Sequence, residues 1–310
     1  MHSTECRVPD KGKTYIGTGK NLHGLGNRLP TLPDIIAALA ALVLQGSNRS
    51  PVPAVGQNLS SVYMENTAIR FACNGCGVCC KGRLVPLTLD ESRQWLKRGH
   101  DVAVILEAFD ESLWPQEPAK HLHNARRAAE VDSGTAKISV VAIFAGNALT
   151  QCPNQDEQGL CGIYEERPLV CRIYPVEISP FVELNPSEKI CPPTVWEEGE
   201  IIFSDRIVDP LASQVEQSRH ADRADARAKV AICESMGMTV AAWKEDALVV
   251  YLPGRDELLA AIQAHDSGFG TSGTGSWSVG VEDAALRKHV SDSGIQIDTS
   301  EAKTYIFHEL

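Results

Sequence analysis

An α+β fold is predicted by three features of this 310-residue sequence. Strand-like pieces, "TAIRFAC" and "RLVPLTL", stand on either side of a cysteine-rich loop. A β-rich run, "AKISVVAIF", occupies 136–144, and "DPLASQVEQSRHADRADARAKVAICESMG", from Asp209, has the charge pattern of a long amphipathic helix. Strands around the cysteines and helices after them predict a small cysteine-rich domain followed by an α-rich C-terminal appendage.

Taken in order, residues 1–60 are rich in Gly, Pro and Asn around one apolar run, "IIAALAALVL". They are expected to form an N-terminal arm with a single helix, opened by Pro33-Asp34 and closed by Gly46. That run is half the length of a membrane-spanning helix, and the polar opening "MHSTECRVPDKGKTYIGTG" lacks the apolar core of a secretory signal. The expectation is a cytoplasmic protein with no membrane partner.

Residues 61–200 are expected to form the cysteine domain. Within it "DESRQWLKRGHDV" reads as a helix with an acidic cap, 102–130 as mostly helical, 136–144 as a strand and "EIIFSDRIV" as one more. Residues 201–267 supply the α-rich appendage: the helix from Asp209, a strand "ALVVYL" and a helix "RDELLAAIQAH". Residues 268–310 read as a Gly/Ser linker and tail, and a chain ending near His265 is expected to keep an intact site.

A chain of this size buries roughly three quarters of its unfolded surface unaided, so its ten cysteines are not needed as staples. Twenty-nine basic residues against 40 acidic ones give a net charge of -11, which argues against nucleic acid as a partner.

The cysteines carry the functional signal. "FACNGCGVCCKG" spaces four of them as Cys73-x2-Cys76-x2-Cys79-Cys80, and a second group follows as Cys152-x8-Cys161-x9-Cys171-x19-Cys191. Eight cysteines within 119 residues form no chance cluster. Disulfides would need an oxidising compartment, and neighbours such as Cys79 and Cys80 pair only through a strained ring. Metal ligation is therefore the leading explanation. Cys-x2-Cys turns suit a tetrahedral zinc site, whereas three evenly spaced thiolates with a remote Cys-Pro, as at Cys152-Pro153 or Cys191-Pro192, suit a [4Fe–4S] cluster. Zinc and iron both stay open. Lys81, Arg83, Arg167 and Arg172 are near enough in sequence to offset clustered thiolate charge.

Other patterns carry less. Cys6 lies in a polar tail and Cys233 on a helix face, where a small apolar thiol is simply buried. "GFGTSG" sits in a Gly/Ser stretch, not between strand and helix, and "GTGKN" lacks phosphate-loop spacing. His121 and His123 fall in a helical segment, where residues two apart diverge.

Together, "FACNGCGVCC", "GIYEERPLVCRIYP" and Cys191 resemble the bacterial YkgJ-type cysteine-cluster family, the CxxCxxCC proteins described as zinc- or iron-chelating. The resemblance covers roughly residues 71–195, less than half of the chain. It implies Cys73, Cys76, Cys79, Cys80, Cys152, Cys161, Cys171 and Cys191 as metal ligands. Arg167, Pro168, Arg172, Tyr174 and Pro175 are the matched surround, with Arg167, Arg172 and Tyr174 as candidates to contact a bound cofactor. It supplies no reaction. A similar cluster in the flagellin lysine N-methylases implies a methyl-transferring enzyme as an alternative by analogy. A zinc-stabilised interaction module with a protein partner is another.

Overall fold

The computed structural model describes residues 68–114, 117–268, 275–300 and 304–310. The expected N-terminal arm with its apolar helix, Cys6 and residues 269–274 of the Gly/Ser stretch lie outside the described residues.

The described residues form two sheets of unequal size. The larger has eight strands and is built on β5 (Ala136–Ala148), the strand expected at 136–144. β5 is long enough to pair antiparallel with β4 (Ala129–Ser133) near its start, β3 (Val102–Phe109) along its middle and β2 (Arg83–Leu87) at its far end. The order continues from β3 to β8 (Ala247–Tyr251) and β10 (Ile306–Glu309), all antiparallel. β7 (Val240–Trp243) runs parallel to β3 and to β9 (Ser278–Gly280). The smaller sheet is one antiparallel pair, β1 (Ile69–Phe71) with β6 (Glu200–Phe203). The two strands that flank the first cysteine group therefore belong to different sheets.

β3 corrects the helical reading of 102–130. Its sequence, VAVILEAF, is a continuous apolar run because both faces of the strand are covered. Val104, Leu106 and Ala108 join the main core, while Ala103 and Ile105 join a second cluster with Leu84, Ala145, Leu248 and Val250. Such a run lacks the alternation that distinguishes a strand from a buried helix. Among the described residues of that stretch, only α2 (Pro118–Ala125) is helical.

The second correction concerns the C-terminal third. Helices α5 (Leu211–Ser235), α6 (Arg255–Asp266) and α7 (Ala284–Asp292) are present, but they do not form an appendage. β7, β8, β9 and β10 are strands of the large sheet. Nor is the segment after 268 a simple linker and tail: Trp277 is fully buried, and its indole N–H donates to Glu234 Oε1 at 2.8 Å. α5 packs across β5 and carries Lys229, whose Nζ is buried and donates to the Leu87 carbonyl at 2.9 Å.

α1 (Leu89–Lys97) forms where a helix was expected, with a different cap. Thr88 and Glu91 make a capping box: Glu91 N–H donates to Thr88 Oγ1 at 3.1 Å, and Thr88 N–H to Glu91 Oε2 at 2.9 Å. A lobe beside the sheet holds α3 (Leu169–Ile173), α4 (Thr194–Glu197) and the β1–β6 pair. It has its own core of Ile173, Val176, Ile202, Leu211 and Val215. No described helix is long and apolar enough to cross a membrane.

Candidate metal centre

The first cysteine group fills the passage from the small sheet to the large one. After β1, Gly75 and Gly77 take positive φ values of 72° and 71°, which let the chain reverse twice within five residues. Cys76 N–H donates to Asn74 Oδ1 at 3.2 Å. Val78–Cys80 make one 3₁₀ turn, closed by Cys80 N–H to the Gly77 carbonyl at 3.0 Å, and β2 begins at Arg83. With three residues per turn, Cys79 and Cys80 leave the backbone about 120° apart.

The second group is sewn to the first by backbone bonds. Cys152 N–H donates to the Cys80 carbonyl at 2.9 Å as β5 ends. A tight loop then returns Cys161 alongside Gln155 in a β-bridge, and Gln155 Nε2 donates to the Gly159 carbonyl at 2.7 Å and to Gly77 at 3.4 Å. Cys171 sits in α3, whose first N–H, at Leu169, donates to Glu91 Oε1 at 2.7 Å. Cys191 precedes α4, which returns to the first loop through Ala72 N–H and the Val195 carbonyl at 2.9 Å.

All eight cysteines line one cavity of about 280 Å³. Arg83, Tyr164, Arg167 and Tyr174 stand in its wall. The Cys191 thiol donates to Tyr174 Oη at 3.4 Å, and Tyr164 Oη donates to the Cys73 carbonyl at 3.3 Å. The Arg167 guanidinium lies 3.8 Å over the Tyr164 ring. Arg172 is placed differently: its guanidinium bonds the carbonyls of Arg167 at 2.7 Å and Glu165 at 3.3 Å, beside an outer cleft with Lys97, Arg98 and Glu166. Among the described residues, no three His, Cys, Asp or Glu side chains converge closely enough to hold one ion. The sulfurs share the cavity without meeting at a point. Cys233 is fully buried in the core, as its apolar surroundings in sequence suggested. His121 and His123 diverge on α2, one ring against Phe109 and the other against Phe181.

The thiols perturb one another strongly. Cys79 is brought down to about 6, first by the bond from Cys80, with Arg83 and Arg167 helping against burial. Donating that bond, with burial added, drives Cys80 far up. Burial pushes Cys171 up to about 12, reinforced by Cys152, Cys79 and Cys161. Burial likewise pushes Cys191 up to about 11, the charges of Cys79, Cys76 and Cys73 adding to it against the Tyr174 bond.

The donor set fits a thiophilic ion such as zinc or iron, because every candidate ligand is a cysteine sulfur. The wall fits as well. Arg83 Nε is buried with no hydrogen-bond partner, at a place where metal-bound thiolates would present negative charge.

Residues 72–192 match the CxxCxxCC family model. That family is described as a "Putative zinc- or iron-chelating domain". The CxxCxxCC match begins at Ala72 and ends at Pro192, so it contains all eight cavity cysteines. No curated protein and no solved structure matches the chain. Within the CxxCxxCC segment, two residues were missed by the sequence reading: Tyr164, which holds the Cys73 carbonyl, and Gln155, which bridges the two cysteine groups. Away from the cysteine loops, Glu91 supports Cys171 from α1, and the Thr-x-x-Glu spacing of its capping box was the available signal.

Proposed function

We propose that this protein binds zinc or iron through the thiolates of Cys73, Cys76, Cys79, Cys80, Cys152, Cys161, Cys171 and Cys191. One observation carries the reading: two cysteine groups separated by residues 81–151 face a single cavity. Nothing in core packing demands that eight sulfurs gather at one place, whereas a soft cation gains directly from it. All nine described cysteines are free thiols, the state in which a metal finds its ligands and which a reducing compartment such as the cytoplasm maintains.

A bound ion would supply a crosslink between the small lobe and the large sheet, and iron with sulfide would add electron transfer. The chain's own contribution is positioning. Tyr174 holds Cys191, the Cys80 carbonyl holds Cys152, and Arg83 and Arg167 lend positive charge to Cys79. The methyl-transfer alternative rests on resemblance alone.

Anaerobic purification followed by zinc, iron and acid-labile sulfide analysis tests the reading. Stoichiometric metal is expected. A folded chain with all ten thiols free and no metal would overturn it.

A further inference from the structure

We propose that the eight cysteines form two four-thiolate metal sites meeting at the Cys79–Cys80 doublet: Cys73, Cys76, Cys79 and Cys191 in one, Cys80, Cys152, Cys161 and Cys171 in the other. This division rests on the metal-chelating reading above.

Backbone bonds draw the same line twice. On one side, Ala72 N–H to the Val195 carbonyl sets the chain entering Cys73 beside the chain leaving Cys191. On the other, Cys152 N–H binds the Cys80 carbonyl, Gln155 N–H binds the Cys152 carbonyl at 3.1 Å, and Gln155 pairs with Cys161.

Packing separates the two sets as well. Cys152 and Cys171 rest against the main core, whereas the strand leading to Cys73 packs through Ile69 and Phe71 on the small lobe's core.

The 3₁₀ turn supplies the reason for a doublet. Consecutive side chains about 120° apart serve two neighbouring ions more readily than one. Four thiolates complete a tetrahedral shell, so eight supply two sets; because no three sulfurs converge among the described residues, each ion would have to draw its own set together.

Cobalt(II) alone is the probe, added to the full metal-free chain under anaerobic conditions. Bound metal per chain is counted after gel filtration and checked by sulfur-to-cobalt charge-transfer absorption. The wild-type chain is expected to take up two ions. C76S, C191S and the C76S/C191S pair should each keep one, as should C80S, C161S and the C80S/C161S pair. The cross-set pair C76S/C161S should keep none, with far-ultraviolet circular dichroism reporting the fold of each variant.

A single ion per wild-type chain, or loss of both ions from every single variant, would overturn the division while leaving metal chelation standing. No cobalt on the wild-type chain would overturn both. Should a variant fail to fold, the wild-type count of two or one still decides.

Discussion

The Glu91 carboxylate serves two helices at once. Oε2 accepts from Thr88 N–H at 2.9 Å and closes the cap of its own helix, while Oε1 accepts from Leu169 N–H at 2.7 Å and starts the helix that carries Cys171. Leu89 N–H donates to Asp225 Oδ2 at 2.7 Å, and Lys229 Nζ holds the Leu87 carbonyl, so α5 clamps the same corner. The position of Cys171 therefore depends on residues outside the cysteine loops.

E91Q tests that dependence. An amide replaces one acceptor oxygen with a donor, leaving either Thr88 N–H or Leu169 N–H without a partner, at a cost of about 1–3 kcal/mol. Denaturant unfolding should show that loss, and cobalt should bind the variant more weakly than wild type. Unchanged metal affinity would show that the α3 start does not position Cys171.

Gly77 is expected to tolerate no side chain. Its φ is 71°, and a Cβ there would overlap Gln155 Nε2 and the Gly159 carbonyl oxygen, forcing apart the loops that carry Cys79 and Cys161. G77A should lower the thermal midpoint and the metal content together. The backbone strain alone costs roughly 1–2 kcal/mol. A variant with wild-type metal content would mean that the loops dock by another route.

Trp277 converts the C-terminal segment from tail into core. Its side chain is fully buried in the main core, with the indole N–H on the Glu234 carboxylate. W277A should cost ~3–5 kcal/mol, and a chain ending near His265 should lose its cooperative melt. Cooperative unfolding of that truncation by differential scanning calorimetry would show that β9, α7 and β10 are dispensable.

His123 gives the stability curve a local pH dependence. Burial first, then Arg127, brings its imidazole from the ordinary 6.5 down to about 4, with the ring edge-on to Phe181 at 5.7 Å. Between those values the unfolded chain holds more protons at this site than the folded chain. Stability from His123 is therefore complete above about pH 6.5 and is lost as the pH falls toward 4. Partial solvent exposure keeps the effect small. H123Q should show a shallower decline in unfolding free energy over that window than wild type; equal slopes would assign the decline to carboxylates alone.

The chemistry was legible in the sequence because it depends on residue type and spacing: eight cysteines, three of them three apart and two adjacent, name their donors without a fold. β5, β8, α5 and α6 were legible for a similar reason, since each carries its own period or β-branched run. Long-range pairing was not. β3 had no alternation to read because the sheet covers both its faces, and β9 is three residues that are strand only because β7 lies beside them. The same holds at the site. Sequence spacing named Cys80 and Cys152 as candidates, but it carried no trace of the bond that joins their backbones across residues 81–151. That bond forms because β2 and β5 pair in register, Arg83 opposite Ala148, and bring both loop ends to the same edge of the sheet. Which residues can hold a metal is a property of side chains; which of them meet is decided by the hydrogen-bond register of strands far apart in the chain.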